Sequence, residues 1–231
     1  MAYLLTRRTR LLAPIIEMVF PARCAGCGHR GTWICDECSP SLARLNPPLC
    51  ARCGVPTSAQ CRCGNLSRNI AMCRSAAAYG GWLRRAIHLF KYEGEPARAA
   101  SLAPLLIAAA QDFPEIDVIV PVPLHSSRQR RRGYNQAELL AAPLGRELQR
   151  PIVRLLIRTR STDQQAKLDA EARRRNVEDA FQAPEPRVVA GRRVLLVDDV
   201  LTTGSTLNAC ADALHAAGAS WIGVLTLARD V

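Results

Sequence analysis

Two hydrophobic periods alternate along the chain after residue 75. Short β-branched and aliphatic runs are typical of buried parallel strands, whereas apolar residues that recur every three or four positions are typical of amphipathic helices. Strands that alternate with helices predict an α/β fold built on a parallel sheet. The predicted strands cover residues 76–79, 118–122, 151–156, 188–197 and 221–227, and the predicted helices cover residues 82–91, 97–110, 134–148 and 207–217.

The segment at residues 1–20 is only partly apolar, because Pro14 and Glu17 interrupt it. No apolar run in the chain approaches the roughly 20 residues that a transmembrane helix needs. We therefore expect a short amphipathic lead-in helix over residues 11–20 rather than a signal peptide. This interpretation predicts a cytoplasmic protein without a membrane partner.

The strongest functional signal is the segment at residues 194–206, which reads Val-Leu-Leu-Val-Asp-Asp-Val-Leu-Thr-Thr-Gly-Ser-Thr. Its four apolar residues predict a buried strand, and residues 200–206 form a loop before a helix that Gly218 ends. The N–H groups at a helix N-terminus favour a phosphate. Asp198 and Asp199 can accept hydrogen bonds from a diol, so the segment predicts a site for a ribose 5-phosphate. The alternative is an ordinary turn with a solvated carboxylate pair.

A second segment at the end of a predicted strand, residues 121–136, is rich in proline and arginine. Open α/β sheets bind ligands at the carboxyl ends of their strands, and arginine can hold phosphate oxygens with two hydrogen bonds. A solvated basic loop is the alternative. Because residues 194–206 already predict one phosphate site, we interpret residues 121–136 as a second phosphate-binding element.

Eight of the ten cysteines lie between positions 24 and 63, in the repeated patterns C-x2-C-x7-C-x2-C and C-x2-C-x7-C-x-C. Each unit supplies the four thiolates of a tetrahedral zinc site, and a reducing cytoplasm favours zinc over disulfides. Such a small module has too few large apolar residues to fold by burial alone, so we expect the zinc to be structural. The repeat favours sequential ligand sets: Cys24, Cys27, Cys35 and Cys38 on one zinc, and Cys50, Cys53, Cys61 and Cys63 on another.

Other ligand assignments stay open from the sequence. An interleaved arrangement of the eight thiolates is possible, and Cys73 could replace Cys63 in the shortened second unit. His29 follows the first cysteine pair, but four thiolates already complete the site, so we do not expect His29 to bind the metal. Cys210 lies on a predicted helix and is expected to be a buried packing residue.

The formal net charge of +11 and the isoelectric point near 9.6 favour anionic partners. Phosphorylated small molecules and nucleic acid both fit this charge. Single-stranded DNA is therefore a candidate partner, although the chain has few aromatic residues on which bases could stack.

Several segments together resemble the ComF family, the competence protein F-like phosphoribosyltransferases, from about residue 20 to the C-terminus. Residues 194–206 are similar to the loop with which type I phosphoribosyltransferases bind phosphoribosyl pyrophosphate (PRPP). The short second cysteine unit departs from the family's pattern. The other segments that carry the resemblance are Lys91-Tyr92, Pro121-Val122-Pro123, Arg132-Gly133-Tyr134-Asn135-Gln136, Gln165-x2-Leu168-x4-Arg173-x2-Asn176 and Ala180-Phe181.

The resemblance implies a type I phosphoribosyltransferase-like parallel sheet flanked by helices, with a small N-terminal zinc-ribbon module. The implied domains are the lead-in helix at 1–20, a double zinc ribbon at 21–70 and a phosphoribosyltransferase domain at 75–231. The implied substrate is PRPP with Mg²⁺, and the implied context is DNA uptake in natural transformation, with a helicase of the competence machinery as a partner. The phosphoribosyl acceptor is not identified.

The resemblance also implies the site residues. The polar segment at 158–176 is expected to be either disordered or a lid over PRPP, which would bring Gln165, Arg173 and Asn176 to the site; a solvated charged helix over residues 169–175 is the alternative for part of it. Lys91 either approaches the pyrophosphate or is a helix-terminal cation that the helix dipole favours. The implied catalytic residues are Asp198, Asp199, Arg132 and Lys91. The implied PRPP-binding residues are Asp198, Asp199, Val200, Leu201, Thr202, Thr203, Gly204, Ser205, Thr206, Pro123, Leu124, Arg128, Arg132, Gly133, Asn135, Gln165 and Arg173.

Two functions follow from these observations. The first is a Mg²⁺-dependent phosphoribosyltransferase. The alternative is a protein that keeps the transferase fold without catalysis and binds single-stranded DNA or regulates a partner, because fold alone does not fix function.

Overall fold

A computed structural model describes residues 21–159 and 180–230. The expected lead-in helix over residues 1–20 lies outside the described residues. So do Gln165, Arg173 and Asn176 of the expected lid. No helix in the described ranges is both long enough and apolar enough to cross a membrane.

A parallel four-stranded sheet in the order β1-β6-β5-β2 organises the fold. Strands β3 and β4 form a separate antiparallel pair. The strands are β1 (Met72–Ala78), β2 (Val118–Pro121), β3 (Ile157–Arg158), β4 (Phe181–Gln182), β5 (Arg193–Leu201) and β6 (Trp221–Arg229). The helices are α1 (Gly81–Tyr92), α2 (Arg98–Ala110), α3 (Ser126–Arg132), α4 (Gln136–Glu147), α5 (Pro186–Val189) and α6 (Ser205–Ala216).

Strand β5 lies between β2 and β6 and is buried on both faces of the sheet. Val194 and Leu196 pack into the apolar cluster on the face that carries α6. Leu195 and Val197 pack into the opposite cluster, together with residues of α1, α2 and α4. The predicted α/β architecture with a parallel sheet flanked by helices is therefore confirmed.

Three predicted strands differ from the structure. Residues 151–156 form no strand, because Ile152 makes only a single parallel bridge to Ile119. Residues 186–189 form the short helix α5, which Pro186 starts, so β5 begins only at Arg193. The third difference lies in β1, which starts at Met72 rather than at residue 76.

The start of β1 was obscured by two polar residues that the fold buries. The guanidinium of Arg74 donates to Asp112 at 2.8 Å and to the carbonyl of Ala51 at 3.1 Å. The hydroxyl groups of Ser75 and Thr226 lie 2.7 Å apart across β1 and β6. Hydrogen bonds therefore satisfy polar groups that the hydrophobic pattern places in a loop.

The cysteine-rich segment packs around the β1 edge of the sheet. Its first half contributes Ala25 and Leu42 to the apolar cluster of α1, α2 and α4. Its second half contributes Cys53 and Val55 to the cluster on the α6 face. Between the two halves, residues 43–44 pair with the end of β1, where the N–H of Ala78 donates to the carbonyl of Ala43 at 2.8 Å.

Arg98 fixes the first half of this segment to α2. Its side chain is only 1% exposed and forms an ion pair with Glu95. The guanidinium donates to the carbonyl of Arg23 at 3.0 Å and lies 4.5 Å from the centre of the Trp33 ring. A buried charge of this kind depends on all of its partners.

We predict that Arg98→Met lowers the free energy of unfolding by about 3 kcal/mol, because it leaves a carboxylate and buried carbonyl groups without a donor. Equilibrium urea denaturation measures the loss. Arg154→Met is the matched control, since the ion pair of Arg154 with Glu138 is exposed at Arg154, with 71% of that side chain accessible, and should contribute at most about 1 kcal/mol. Equal losses in the two variants would contradict this prediction.

Candidate active site

The candidate site lies where β2 and β5 end side by side. These strands are hydrogen-bonded neighbours, with Pro121 opposite Val197. The chain that follows β2 and the chain that ends β5 therefore meet at the carboxyl edge of the sheet. This is the edge at which open α/β sheets bind ligands.

The carboxylate pair lies inside β5, which continues beyond the predicted strand end at residue 197. The strand continues to Leu201 because β6 is equally long and pairs with it as far as Arg229. Leu201 is buried in the apolar cluster on the α6 face, and its carbonyl accepts from the N–H of Asp230 at 2.9 Å. Val200 and Leu201 thus belong to the sheet. The loop that can face a ligand consists of residues 202–206, and we call it the phosphate loop.

The phosphate loop turns directly into the twelve-residue helix α6. Gly204 makes the turn with φ of +83°, a left-handed conformation that a side chain would strain. The Thr203 hydroxyl lies 2.9 Å from the Ser205 hydroxyl and accepts from the Ser205 N–H at 3.4 Å. Thr202 and Thr203 are exposed, and Ser205 and Thr206 are half-buried in the first turn of α6. Hydroxyl groups, N–H groups and the helix dipole together favour an anion here.

The two carboxylates occupy different environments. Asp199 is buried, and its Oδ1 lies 2.6 Å from Nζ of Lys91, near the end of α1. Asp198 is half-buried, and its Oδ1 accepts the N–H of Asp199 at 2.8 Å. Lys91 therefore holds Asp199 in place, whereas Asp198 lies where it can receive hydrogen bonds from a ligand.

The same environment shifts the pKa of Asp198 and the pKa of Lys91. Burial and the charge of Asp199 raise the pKa of Asp198 to about 7, and Lys91 opposes this shift only in part. Burial alone would lower the pKa of Lys91, but the carboxylates of Asp199 and Asp198 outweigh burial and raise it above its usual value. A raised carboxyl pKa in a cleft is typical of a functional site.

The chain after β2 forms the short helix α3, which replaces the loop predicted here. Helical spacing separates its arginines into two pairs. Arg128 and Arg132 lie one turn apart and are half-buried, whereas Arg130 and Arg131 are exposed. Burial, together with the nearby charges of Arg158 and Arg132, lowers the pKa of Arg128. A group of neighbouring guanidinium groups is a suitable place for a polyanion.

Arg132 is held in position by groups on both sides. Its Nη1 donates to Oε1 of Gln136 at 2.8 Å, and its guanidinium lies 4.9 Å from the centre of the Tyr92 ring. Tyr134 stacks on Phe90 and donates to the Phe90 carbonyl, next to Lys91. The arginine loop and the end of α1 are thereby fixed to each other.

The remaining residues expected after β2 act on the backbone. Gly133 ends α3 with φ of +79°. The Asn135 side chain is buried, accepts from the N–H of Ala137 at 3.0 Å and donates to the carbonyl of Val122 at 3.0 Å. Pro123 and Leu124 are half-buried in the turn between β2 and α3. These four residues set the path of the loop that carries Arg128 and Arg132.

Sequence reasoning gave no role to three residues that the structure brings to this site. Arg158 at the end of β3 lies 5.3 Å from the centre of the Phe181 ring, and Asp198 and Arg128 respond to its charge. Tyr134 and Gln136 belong to the segment Arg132–Gln136, but the sequence assigned no role to either residue. Tyr134 and Gln136 lie two and four residues after Arg132 in the sequence, and this proximity was the available signal for them. No local pattern predicts that Arg158 reaches β5.

The eight cysteines of the N-terminal segment form two separate groups. The first cluster is Cys24, Cys27, Cys35 and Cys38, and the second cluster is Cys50, Cys53, Cys61 and Cys63, with the sulfur atoms of each within 4.8 Å of one another. Cys73 lies apart, buried in β1, and burial raises its pKa to about 11. Cys210 is fully buried in α6, as expected.

The geometry of both clusters fits zinc. Sulfur atoms are 3.6 Å apart for Cys24 and Cys35 and 3.9 Å apart for Cys50 and Cys61. Four thiolates at about 2.3 Å from a tetrahedral zinc ion would lie about 3.8 Å apart. The N–H groups of Cys53 and Arg52 lower the pKa of Cys50 to about 6, which favours the thiolate that a metal needs. The chemistry and spacing of the donors therefore support structural zinc.

Known proteins identify the family. A profile of the phosphoribosyl transferase domain matches residues 109–230, and a profile of the double zinc ribbon domain matches residues 15–67. The chain belongs to the ComF family. It is 36% identical to DNA utilization protein YhgH of Escherichia coli K12, over 88% of this chain and 92% of that protein. It is 35% identical to Competence protein F of Haemophilus influenzae, over 85% of this chain and 90% of that protein.

Among solved structures, this ComF-family chain is similar to a glutamine phosphoribosylpyrophosphate amidotransferase from Bacillus subtilis complexed with ADP and GMP. The identity is 23%, the match covers 56% of this chain and 26% of that chain, and the TM-score is 0.40.

The unequal carboxylates generate a pH-dependent prediction. Asp198→Asn should raise the melting temperature at pH 8, and the gain should shrink as the pH falls through 7 towards 4. The fold raises the pKa of this carboxyl from 3.8 to about 7, so its ionisation destabilises the folded state by an amount that grows as the pH rises from about 4 to about 7 and is constant above that. Thermal unfolding at several pH values measures the gain, at about 2–4 °C per kcal/mol.

Asp199→Asn is the matched control, because it makes the same chemical change one residue away. It removes the carboxylate that lies 2.6 Å from Lys91, so it should lower the melting temperature at pH 8. Destabilisation by Asp198→Asn at that pH would contradict the assignment of unequal roles.

Proposed function

We propose that this ComF-family chain binds PRPP at the carboxyl edge of its sheet and transfers the phosphoribosyl group to an acceptor. The observation that carries the proposal is the meeting of two anion-binding elements on the neighbouring strands β2 and β5, with a carboxylate pair between them. One phosphate, a sugar with vicinal hydroxyls and a second, more highly charged phosphate group match these three features.

Each part of PRPP has a matching group in the site. The 5-phosphate fits the N–H and hydroxyl groups of the phosphate loop. The ribose hydroxyls fit Asp198, while Lys91 holds the side chain of Asp199 in place. The pyrophosphate fits Arg128 and Arg132, which face the same side of α3.

The reaction is substitution at the anomeric carbon. The bond to pyrophosphate breaks and its electron pair leaves with pyrophosphate, while a lone pair of the acceptor forms the new bond and the acceptor gives up a proton. Positive charge develops on the ribose ring, close to the carboxylate of Asp198, and negative charge develops on the pyrophosphate, close to Arg128 and Arg132. Preorganised charges that match these changes lower the barrier without covalent catalysis.

The donor set also fits Mg²⁺. This ion usually combines one or two carboxylates with the phosphate oxygens of a substrate rather than an all-protein cage, and Asp198 offers such a carboxylate. When bound, Mg²⁺ would neutralise charge on the pyrophosphate and make it a better leaving group.

PRPP binding is predicted to raise the melting temperature in the presence of Mg²⁺. A ligand at one hundred times its Kd stabilises the folded state by about 2.7 kcal/mol, a shift that differential scanning fluorimetry resolves. Arg132→Gln should reduce the shift, whereas Arg131→Gln, on the exposed side of the same helix, should keep it. A melting temperature of the wild-type protein that PRPP and Mg²⁺ leave unchanged would contradict the PRPP proposal. Pyrophosphate release from PRPP across a panel of acceptors then tests transfer itself.

A second candidate function rests on the outer side of α3. Arg130 and Arg131 are exposed there, next to the proposed PRPP site. Two relatives carry the names DNA utilization protein and Competence protein F. We infer that these arginines contact the phosphates of single-stranded DNA, which would bring a DNA-linked acceptor close to the site.

Replacing both Arg130 and Arg131 by Gln should weaken binding to a single-stranded oligonucleotide uniformly across sequences. Each lost phosphate contact should reduce the slope of log affinity against log salt by about 0.7. Fluorescence anisotropy at several salt concentrations measures the slope, and the PRPP-induced thermal shift serves as the control that should stay unchanged. A wild-type slope near zero would contradict this second function.

A further inference from the structure

The second cysteine cluster is connected to the phosphate loop by the segment that follows Cys63. The segment that follows Cys63 runs along the first turns of α6, and it touches the loop itself. A side chain at Gly204 would approach the carbonyl oxygen of Asn65 to 3.4 Å. The metal-binding module and the proposed PRPP site are therefore neighbours through residues 63–70.

Asn208 joins the two elements with both ends of its carboxamide. Its Nδ2 donates to the carbonyl of Asn65 at 2.8 Å, and its Oδ1 accepts the N–H of Ser67 at 2.8 Å. The N–H of Asn208 donates to the carbonyl of Gly204 at 2.8 Å, in the first hydrogen bond of α6. One residue thus connects the turn of the phosphate loop to the backbone of the ribbon.

A second contact follows one helical turn later. The carboxylate of Asp212 accepts from the hydroxyl of Ser67 and from Nδ2 of Asn69 at 2.8 Å. Because Asn208 and Asp212 are four residues apart, they lie on the same face of α6. The segment after Cys63 is consequently bonded along two turns of the helix that begins at the phosphate loop.

Arg52 connects this segment back to the metal cluster. It lies between Cys50 and Cys53, and its guanidinium donates to the carbonyl of Ser67 at 2.7 Å and to the carbonyl of Ile70 at 3.1 Å. Its Nη1 also donates to the carbonyl of Cys63 at 3.4 Å. A continuous series of contacts runs from the thiolates through Arg52 and residues 66–70 to Asn208 and Gly204.

The first cluster has no such series of contacts in the described part of the chain. Its neighbours are α1 and α2, where Arg98 and Trp82 pack against it. The two clusters have the same donor set, but they adjoin different parts of the fold. Their difference in position gives a matched comparison inside one molecule.

We propose that the second cysteine cluster positions the phosphate loop, and that Asn208 is the positioning residue. Zinc on Cys50, Cys53, Cys61 and Cys63 would hold residues 63–70 in the conformation that Asn208 and Asp212 recognise, so metal occupancy at this cluster would set the order of residues 202–206. This inference deepens the proposed function, since it treats those residues as the site of the 5-phosphate.

The experiment measures amide hydrogen exchange of residues 202–207 by mass spectrometry in the zinc-loaded protein without ligand, so its outcome does not depend on PRPP binding. Asn208→Ala should speed exchange in the loop by about tenfold, because two hydrogen bonds are lost, while exchange in β6 stays as in the wild type. His215→Ala is the control, since His215 lies on the exposed side of the same helix. Zinc content, measured by mass spectrometry of the metal, should stay unchanged in both variants.

Cys61→Ser and Cys27→Ser separate the clusters, because each removes the exposed ligand of one of them. Cys61→Ser should speed exchange in the loop and Cys27→Ser should not. Wild-type exchange in Asn208→Ala would overturn the inference, and so would an equal effect of the two cysteine variants. If Cys61→Ser fails to fold, Asn208→Ala alone decides. A wild-type protein that binds no PRPP but shows the expected exchange pattern would refute the proposed function and leave the positioning role of Asn208 intact.

Discussion

The parallel pairing of β5 with both β2 and β6 is the constraint on which the rest of the structure depends. Because β5 is hydrogen-bonded along both edges and covered by apolar side chains on both faces, polar side chains have a place only towards its ends. Parallel strands that are buried on both faces leave the functional residues at the carboxyl ends of the strands, where open α/β sheets bind their ligands. Asp198, the phosphate loop and the arginines of α3 are close together for this reason.

Charge is distributed in this site by geometry rather than by composition. The net charge of +11 says only that an anion is favoured. The structure divides the arginines of α3 into a half-buried pair and an exposed pair, because residues four positions apart share a helical face. It also divides two adjacent aspartates into one that is paired with Lys91 and one that is not, because successive residues of a strand point to opposite faces.

The sequence predicted the features that depend on local pattern. The buried run of β5, the helices around residues 82–91 and 207–217, and the repeated cysteine spacing were all readable, since each follows from periodicity or ligand spacing. The end of β5 was not, because Asp198 and Asp199 resemble a loop until the equally long β6 is placed beside them. The start of β1 was hidden for a similar reason, as Arg74 and Ser75 find partners far away in the chain. Arg158 reaches the site through tertiary contacts that leave no trace in local sequence.

The pairing of residues 43–44 with the end of β1 makes the sheet depend on the cysteine-rich segment for cover. An uncovered sheet edge and the apolar surface under Cys53 and Val55 would invite association between copies, because unpaired strand edges act as templates for further strands. The cysteine-rich segment covers part of this edge and this surface, so it protects the phosphoribosyltransferase domain from such association. Removal of the cysteine-rich segment would expose the edge of β1 and the apolar surface under Cys53 and Val55, so the shortened chain is expected to self-associate.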